Sequence, residues 1–243
     1  MKTQAGLVLA SCVLAAPALA DWDPGDGHKM HFPQLPDPNG WDISVGVPAD
    51  DWQCSESGYV TDIHLWVSWR GDVEHWDTDL WVGIHENDTT GPYSKPGDPL
   101  WDGVFYDNEY TWRQWGTGDQ GWYSPWTEEV IPHDHSNIFQ INIEGIPDPF
   151  YQEEGETYWL LLGTVYGTWD LGWKTSQDHF EDGAVWYNPP DLGRNPNYPE
   201  GWNELRDPLT QDALDLAFVI TPEPTALGLL LFGGLAVLRR RRA

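Results

Sequence analysis

The chain has 243 residues, with 12 Lys and Arg against 39 Asp and Glu, and a formal net charge of −27 at pH 7. A surface this acidic repels phosphate, which excludes nucleic acid and anionic lipid as partners of the folded part. Such charge is typical of disorder, but 17 tryptophans, all between Trp22 and Trp202, supply apolar surface for a core.

The N-terminal segment has the three parts of a secretory signal peptide. Met1 and Lys2 give a short positive region, residues 6–16 are apolar, and Ala18 and Ala20 form an A-x-A cleavage site. We therefore predict that residues 1–20 are a signal helix, removed by signal peptidase, and that the mature chain starts at Asp21.

The middle segment, residues 21–220, is long enough for one well-buried domain and short for two. Removing both ends leaves 7 basic against 38 acidic residues, a net charge of −31. Calcium or high ionic strength would relieve this self-repulsion, so bound Ca²⁺ is a secondary expectation. Cys54 is the one cysteine left in the domain, which excludes an intrachain disulfide and favours a buried, inert thiol.

Alternating apolar and polar residues predict nine strands in the domain, separated by turns rich in Pro, Gly, Asn and Asp. The predicted strands are 59–69, 79–85, 100–106, 109–114, 138–143, 157–165, 171–175, 184–187 and 214–220. The pattern contains no convincing amphipathic helix. It is typical of an all-β fold, a single antiparallel β-sandwich with a jelly-roll-like arrangement.

The first two strands of this set permit a prediction of register. If they form a hairpin with its turn near Val73 and Glu74, their apolar faces coincide when facing residues have numbers that add up to 147. This register pairs Ile63 with Ile84, Leu65 with Val82, Val67 with Leu80, Trp66 with Trp81, and Asp62 with His85.

The polar face of this predicted hairpin is a candidate glycan site. Trp66 and Trp81 would lie side by side, flanked by Asp62, His64 and His85. Flat aromatic faces can stack on sugar CH groups while polar side chains at the rim fix hydroxyls. The alternative is that loops cover this face and the tryptophans serve ordinary packing.

Two groups of residues have the chemistry of metal ligands. The connecting loop is rich in carboxylates, which suit calcium, although their spacing does not match an EF-hand: Asp72, Glu74, Asp77 and Asp79. His133 and His135 could present two imidazoles to zinc, but no third ligand follows from spacing. A solvated acidic loop is the alternative for the first group.

Catalytic motifs are absent from the sequence. It contains no nucleophile elbow, zinc-protease motif or phosphate-binding loop. Paired carboxylates could still support glycoside hydrolysis, which makes an extracellular carbohydrate-active enzyme the one enzymatic alternative. We expect a non-enzymatic surface or extracellular-matrix protein that contacts polysaccharide, with a purely structural coat component as a further alternative.

The C-terminal segment, residues 221–243, combines a Pro-Glu-Pro tripeptide, an uncharged apolar run and an arginine cluster. The charged and proline positions are Pro222, Glu223, Pro224, Arg239, Arg240, Arg241 and Arg242. This order resembles the PEP-CTERM sorting signal of bacterial envelope proteins. The resemblance implies recognition by an exosortase-type protease, cleavage near the tripeptide, and a final location in the envelope, at the cell surface or outside the cell.

A permanent membrane anchor is the alternative for this segment. Residues 225–238 would form a helix roughly 21 Å long at about 1.5 Å per residue. The hydrocarbon core of a bilayer is about 30 Å thick. The shortness of the helix favours transient anchoring followed by processing.

The domain itself also resembles a known family. The motifs are the runs 49–58, 61–66, 146–150, 172–179 and 214–220. Together they are similar to an uncharacterised domain of exported bacterial proteins that covers nearly all of residues 21–220. The resemblance implies no activity or ligand. It makes the run around Lys174 worth testing, although we expect Lys174 to pair with a nearby acid.

Overall fold

In a computed structural model of the protein, residues 21–26, 31–165, 170–190 and 195–221 are described. The predicted signal helix and the C-terminal helix, with their cleavage and arginine residues, lie outside these ranges. No helix within them is long and apolar enough to cross a membrane. The strands are β1 (Trp41–Ser44), β2 (Pro48–Gln53), β3 (Gly58–Val60), β4 (Asp62–Trp69), β5 (Leu80–Asp88), β6 (Lys95–Phe105), β7 (Thr111–Ser124), β8 (Glu129–Ile143), β9 (Phe150–Gln152), β10 (Thr157–Thr164), β11 (Leu171–Ser176), β12 (Val185–Asn188), β13 (Gly201–Glu204), β14 (Asp215–Leu216) and β15 (Phe218–Thr221).

Two sheets share one apolar core. The seven-stranded sheet has the order β14-β11-β1-β7-β8-β4-β15 and the six-stranded sheet the order β13-β12-β2-β10-β5-β6, while β3 and β9 form a separate ribbon. Fully buried side chains from both sheets pack in the same cluster, among them Leu65, Val67, Val82, Ile84 and Leu160. The predicted all-β class is confirmed, and the two sheets form a sandwich.

All nine predicted strands overlap observed ones, whereas β1, β2, β9 and β13 were not predicted. Strand β2 shows why. It begins with Pro48 and contains Asp50 and Asp51, residue types that are depleted in strands, yet both aspartates are buried. Tertiary packing therefore overrides local preference in this segment.

Part of the seven-stranded sheet closes into a ring, a feature that the predicted antiparallel sandwich did not include. Strand β1 pairs with β7 in parallel and with β11 in antiparallel orientation, and β11 also pairs with β4. Because β7 pairs with β8 and β8 with β4, the five strands β1, β7, β8, β4 and β11 form a closed ring. The ring is a small barrel beside the main core.

The predicted hairpin between the first two strands is wrong. Strand β4 pairs with β8, β11 and β15, whereas β5 pairs with β6 and β10 in the other sheet. The assignment of faces was nevertheless correct, because the inward residues of both strands lie in the shared core. The two apolar faces meet across the sandwich instead of within one ladder.

The start of the described chain covers the outer face of β4. Trp22 is 3% exposed and packs edge-on against Trp66, with ring centroids 5.8 Å apart. Its carbonyl oxygen accepts hydrogen bonds from Arg113 Nη2 and Gln140 Nε2, both 2.8 Å away. This face, which reads as solvent-exposed in the sequence, is therefore buried.

Candidate functional site

The predicted pair of tryptophans does not form. Trp66 is 0% exposed, between Trp22 and Trp115 on the outer face of the seven-stranded sheet. Trp81 lies on the outer face of the six-stranded sheet, with its ring against Gly83 and Gly163. The two indoles are on opposite sides of the sandwich, so the predicted Trp66–Trp81 platform is wrong.

The polar residues predicted beside them have internal partners. Asp62 Oδ1 accepts a hydrogen bond from the Gly145 amide at 2.9 Å, and His64 Nδ1 lies 2.8 Å from Asn142 Oδ1. Burial lowers the pKa of His64, which keeps its imidazole neutral within the fold. His85 Nδ1 lies 2.9 Å from the Gly97 carbonyl oxygen in the other sheet.

A different pair of tryptophans forms an exposed stack. The rings of Trp76 and Trp112 are 4.0 Å apart at an interplanar angle of 3°. Trp112 is the most exposed tryptophan among the described residues, at 44%. Trp69 and Phe139 pack edge-on against Trp76, and Glu74 Oε2 accepts a hydrogen bond of 2.7 Å from its indole nitrogen. We call Trp76 and Trp112 the indole platform. Its Trp76 ring is fixed by these contacts, and its Trp112 ring is partly exposed to solvent.

Polar side chains continue from the platform along the β7–β8 hairpin. Gln114 lies two residues after Trp112 on the same face, and its Nε2 donates a hydrogen bond of 2.9 Å to Asn137 Oδ1. The backbone N–H of Asn137 in turn donates a hydrogen bond of 2.9 Å to Asp72 Oδ1. These contacts connect the platform to Asp72, which lines a neighbouring cleft.

This cleft is open and has a volume of about 670 Å³. Its lining is polar: Asp72, Thr117, Gly118, Asp119, His133, Asp134, His135 and Ser136. Asp72 and His133 have φ angles of 56° and 58°, in the left-handed region that costs a non-glycine residue of order 1 kcal/mol. Hydrogen bonds from Ser136 and Asn137 to the Asp72 carboxylate hold its side chain in place. Although burial acts to raise the pKa of Asp72, these donors lower it below the ordinary value.

Behind the cleft, the small barrel encloses a network of buried charges. Asp42 Oδ2 lies 3.0 Å from Lys174 Nζ and 2.9 Å from His135 Nε2, and all three side chains are fully buried. His135 Nδ1 lies 2.9 Å from Asp134 Oδ2, which lines the cleft. We call these four residues the ion quartet. The expected pairing of Lys174 with an acid is confirmed.

The quartet shifts the proton affinities of its members in opposite directions. Burial acts to raise the pKa of Asp42, but the Lys174 ammonium and His135 outweigh it and lower that pKa. Burial acts to lower the pKa of His135, but its bonds to Asp42 and Asp134 raise it. The charged forms of both groups are therefore favoured.

The predicted metal ligands do not converge. In the described parts of the chain, no group of three or more His, Cys, Asp or Glu side chains is arranged to hold a metal ion. Asp72 accepts hydrogen bonds from β8, and Glu74 accepts one from Trp76. These two carboxylates, Asp77 and Asp79 therefore do not surround a common metal position in the described residues. His133 is exposed beside Asp119, whereas His135 is buried in the barrel, so the two imidazoles do not face one site.

A second group of buried carboxylates lies in and near β2. Asp50 accepts hydrogen bonds from Gln34 Nε2 and the Leu216 amide, and burial with the charges of Asp215 and Asp51 raises its pKa well above the ordinary value. Asp51 is 1% exposed. Burial, followed by the charges of Asp182, Asp215 and Glu181, raises the pKa of Asp51 to about 8. These groups favour the protonated form in the folded protein.

The family model for a "Domain of unknown function (DUF7901)" matches residues 30–221. The chain belongs to this family. Neither a curated protein nor a solved structure matches it. The match covers the sandwich, the barrel, the platform and the cleft, and it ends where β15 ends, at Thr221.

Reasoning from sequence missed the indole platform. Trp112 lies in a predicted strand and Trp76 in the acidic loop, 36 residues apart, among 17 tryptophans. A tryptophan inside a strongly charged loop is the one available indication, because an apolar ring there needs a partner to cover it. The partner, however, follows only from the fold.

We predict that Lys174→Met destabilises the protein by about 3–5 kcal/mol, because it leaves the buried Asp42 carboxylate with one cationic partner instead of two. Urea unfolding followed by circular dichroism measures the loss. Lys95→Met is the matched control: its partner Asp88 lies at the surface, where solvent screens the pair, so a much smaller loss is expected. Equal, small losses in both variants would show that the quartet does not stabilise the fold.

We also predict that Asp51→Asn stabilises the protein at pH 8 and has little effect at pH 4. The folded protein retains the Asp51 proton up to about pH 8, while the unfolded chain releases it near pH 4. The free energy of unfolding of the unsubstituted protein therefore falls as pH rises between those values, and Asn, which does not titrate, avoids this loss. One pKa unit corresponds to about 1.4 kcal/mol, so the difference of about four units between the folded and the unfolded chain sets an upper limit of about 5–6 kcal/mol for the gain at pH 8. Unfolding at both pH values measures it, and a gain independent of pH contradicts the assignment.

Proposed function

We propose that the protein is a non-enzymatic glycan-binding protein of the cell envelope or extracellular matrix, and that Trp112 is its stacking surface. The observation that carries this proposal is the exposure of Trp112, at 44%, on top of a parallel Trp76 ring. Burying an aromatic face against a ligand is favourable, and the CH faces of a pyranose ring are a suitable counterpart.

Preorganisation supports the same proposal. Trp76 is held by Glu74, Trp69 and Phe139, so the platform is already ordered before a ligand binds. Binding then loses less side-chain entropy than it would with a mobile tryptophan. The amides of Gln114 and Asn137 lie beside the platform, where they can bond sugar hydroxyls.

The cleft carboxylates support binding in preference to hydrolysis. Asp72 accepts three hydrogen bonds, Asp134 accepts one from the Gly71 amide and contacts His135, and Asp119 contacts His133. A glycosidase needs a carboxylic acid that keeps its proton near neutral pH. The lowered pKa of Asp72 is the opposite of that requirement. A purely structural coat component remains the second candidate, and it would differ by having no ligand at the platform.

The proposal for location rests on the two ends of the chain. We propose export through the N-terminal signal peptide and sorting through the PEP-CTERM-like segment, with signal peptidase and an exosortase-type protease as processing partners. The fold supports a mature start at Asp21, because Asn142 Nδ2 donates a hydrogen bond of 2.9 Å to Asp21 Oδ1 and Trp22 is buried.

We predict that Trp112→Ala weakens glycan binding at least about tenfold, a loss of about 1.4 kcal/mol, because the stacking face is removed. Affinity electrophoresis against a panel of polysaccharides, with calcium and with chelator, identifies a ligand, and calorimetry then measures the affinity. Trp81→Ala is the matched control, since it removes a partly exposed tryptophan on the outer face of the six-stranded sheet, away from the platform. Binding that survives Trp112→Ala but not Trp81→Ala would exclude the platform, and a panel without any ligand would favour the structural coat.

For processing, we expect the mature protein isolated from its native cells to begin at Asp21 and to end near Pro222, Glu223 and Pro224. Intact-mass spectrometry measures both ends. A mature protein that still ends at Ala243 would show that the C-terminal segment is retained as an anchor.

A further inference from the structure

Charge pairing is uneven across the described residues. Each of the five basic side chains there is paired with a carboxylate: Arg70 with Glu129, Lys95 with Asp88, Arg113 with Asp21 and Asp23, Lys174 with Asp42, and Arg206 with Glu204. None of these five lysines and arginines is paired with the carboxylates at the platform and the cleft, which are Asp72, Glu74, Asp77, Asp119 and Asp134. The surface that a ligand meets is therefore anionic.

This excess is present at the indole platform. Glu74 contacts the edge of Trp76, and Asp77 follows in the same exposed loop. Arg113 is next to Trp112 in sequence but projects from the other face of β7, where it lies over Trp115 and bonds Asp23. Carboxylates therefore lie on the Trp76 side of the platform, and the neighbouring Arg113 does not neutralise them.

The cleft continues the same chemistry. Asp72, Asp119 and Asp134 line it, and hydrogen bonds hold their oxygens in place. Trp112 and Thr117 are five residues apart along β7, about 16 Å at 3.3 Å per residue. An extended oligosaccharide can therefore contact the platform and the carboxylates of the cleft together.

We infer that the glycan bound at the platform carries free amino groups, as a polymer of de-N-acetylated hexosamine does. An ammonium group is attracted both by an indole face and by carboxylates, whereas a uronate or sulfate is repelled by the same surface. This inference rests on the proposed function, since it names the chemical class of the ligand that stacks on Trp112.

The test compares three hexasaccharides: one of glucosamine, one of N-acetylglucosamine and one of glucose. Calorimetry is done at low salt and at a pH at which the amines are protonated. We expect the glucosamine oligomer to bind at least about tenfold more tightly than the other two, and this advantage to shrink in about 1 M salt, where charges are screened beyond about 3 Å.

Three variants locate the effect. Glu74→Gln retains an acceptor for the Trp76 indole, and Asp119→Asn retains the cleft volume, so each should reduce the advantage of the glucosamine oligomer over the glucose oligomer about threefold. Asp102→Asn is the matched control, because Asp102 is exposed on the six-stranded sheet opposite Gly83. If Asp102→Asn has the same effect as Glu74→Gln, the attraction is general to the surface and the inference is wrong.

The outcomes separate the inference from the proposed function. Equal affinity for the three oligomers, abolished by Trp112→Ala, would overturn the amine inference and leave glycan binding intact. Tight binding of a uronate polymer that requires calcium would overturn it as well. No binding of any saccharide would overturn both.

Discussion

The buried carboxylate of Asp42 is the constraint on which the small barrel depends. A fully buried carboxylate is costly unless opposite charges and hydrogen bonds compensate for lost hydration. Lys174 from β11 and His135 from β8 supply that compensation to a residue of β1, so three strands must stay within hydrogen-bonding distance. Strand β11 passes so close to β1 and β7 that a Cβ atom at Gly172 would lie 2.7 Å from Asp42 Cβ and 2.8 Å from the Trp122 ring. The ring of strands and its polar interior therefore require each other.

The candidate site inherits its rigidity from this interior. His135 is fixed from inside by Asp42 and from outside by Asp134, which also accepts a hydrogen bond from the Gly71 amide. Asp72, next to Gly71, binds the backbone of β8 at Asn137. The turn that leads to Trp76 and the hairpin that carries Trp112 are thus joined at several points. An exposed indole on such a support keeps its orientation, which a stacking surface needs.

Periodicity predicted the class, the nine strands and the inward faces of β4 and β5, because burial leaves an alternating pattern in the sequence. Periodicity could not predict which strand pairs with which, because any two strands with the same alternating pattern can form backbone hydrogen bonds with their apolar faces on the same side. It also misread the outer face of β4. His64 and Trp66 alternate as solvent-facing residues do, but the cover comes from Trp22 and Trp115, more than 40 residues away in each direction. Buried polar residues such as Asp42 and Lys174 are hidden from sequence for the same reason.

The acidity that first suggests disorder acquires a different meaning once the basic residues are placed. Since the five lysine and arginine side chains of the described residues are already paired with carboxylates, the excess charge of this part of the chain is negative and produces a field that repels anions. Such a field acts over about a Debye length and repels anionic polymers before contact. The indole platform alone would accept many sugars, because every pyranose has an apolar face. Under the proposed function, selectivity at this site would arise as much from what the surface repels as from what Trp112 attracts.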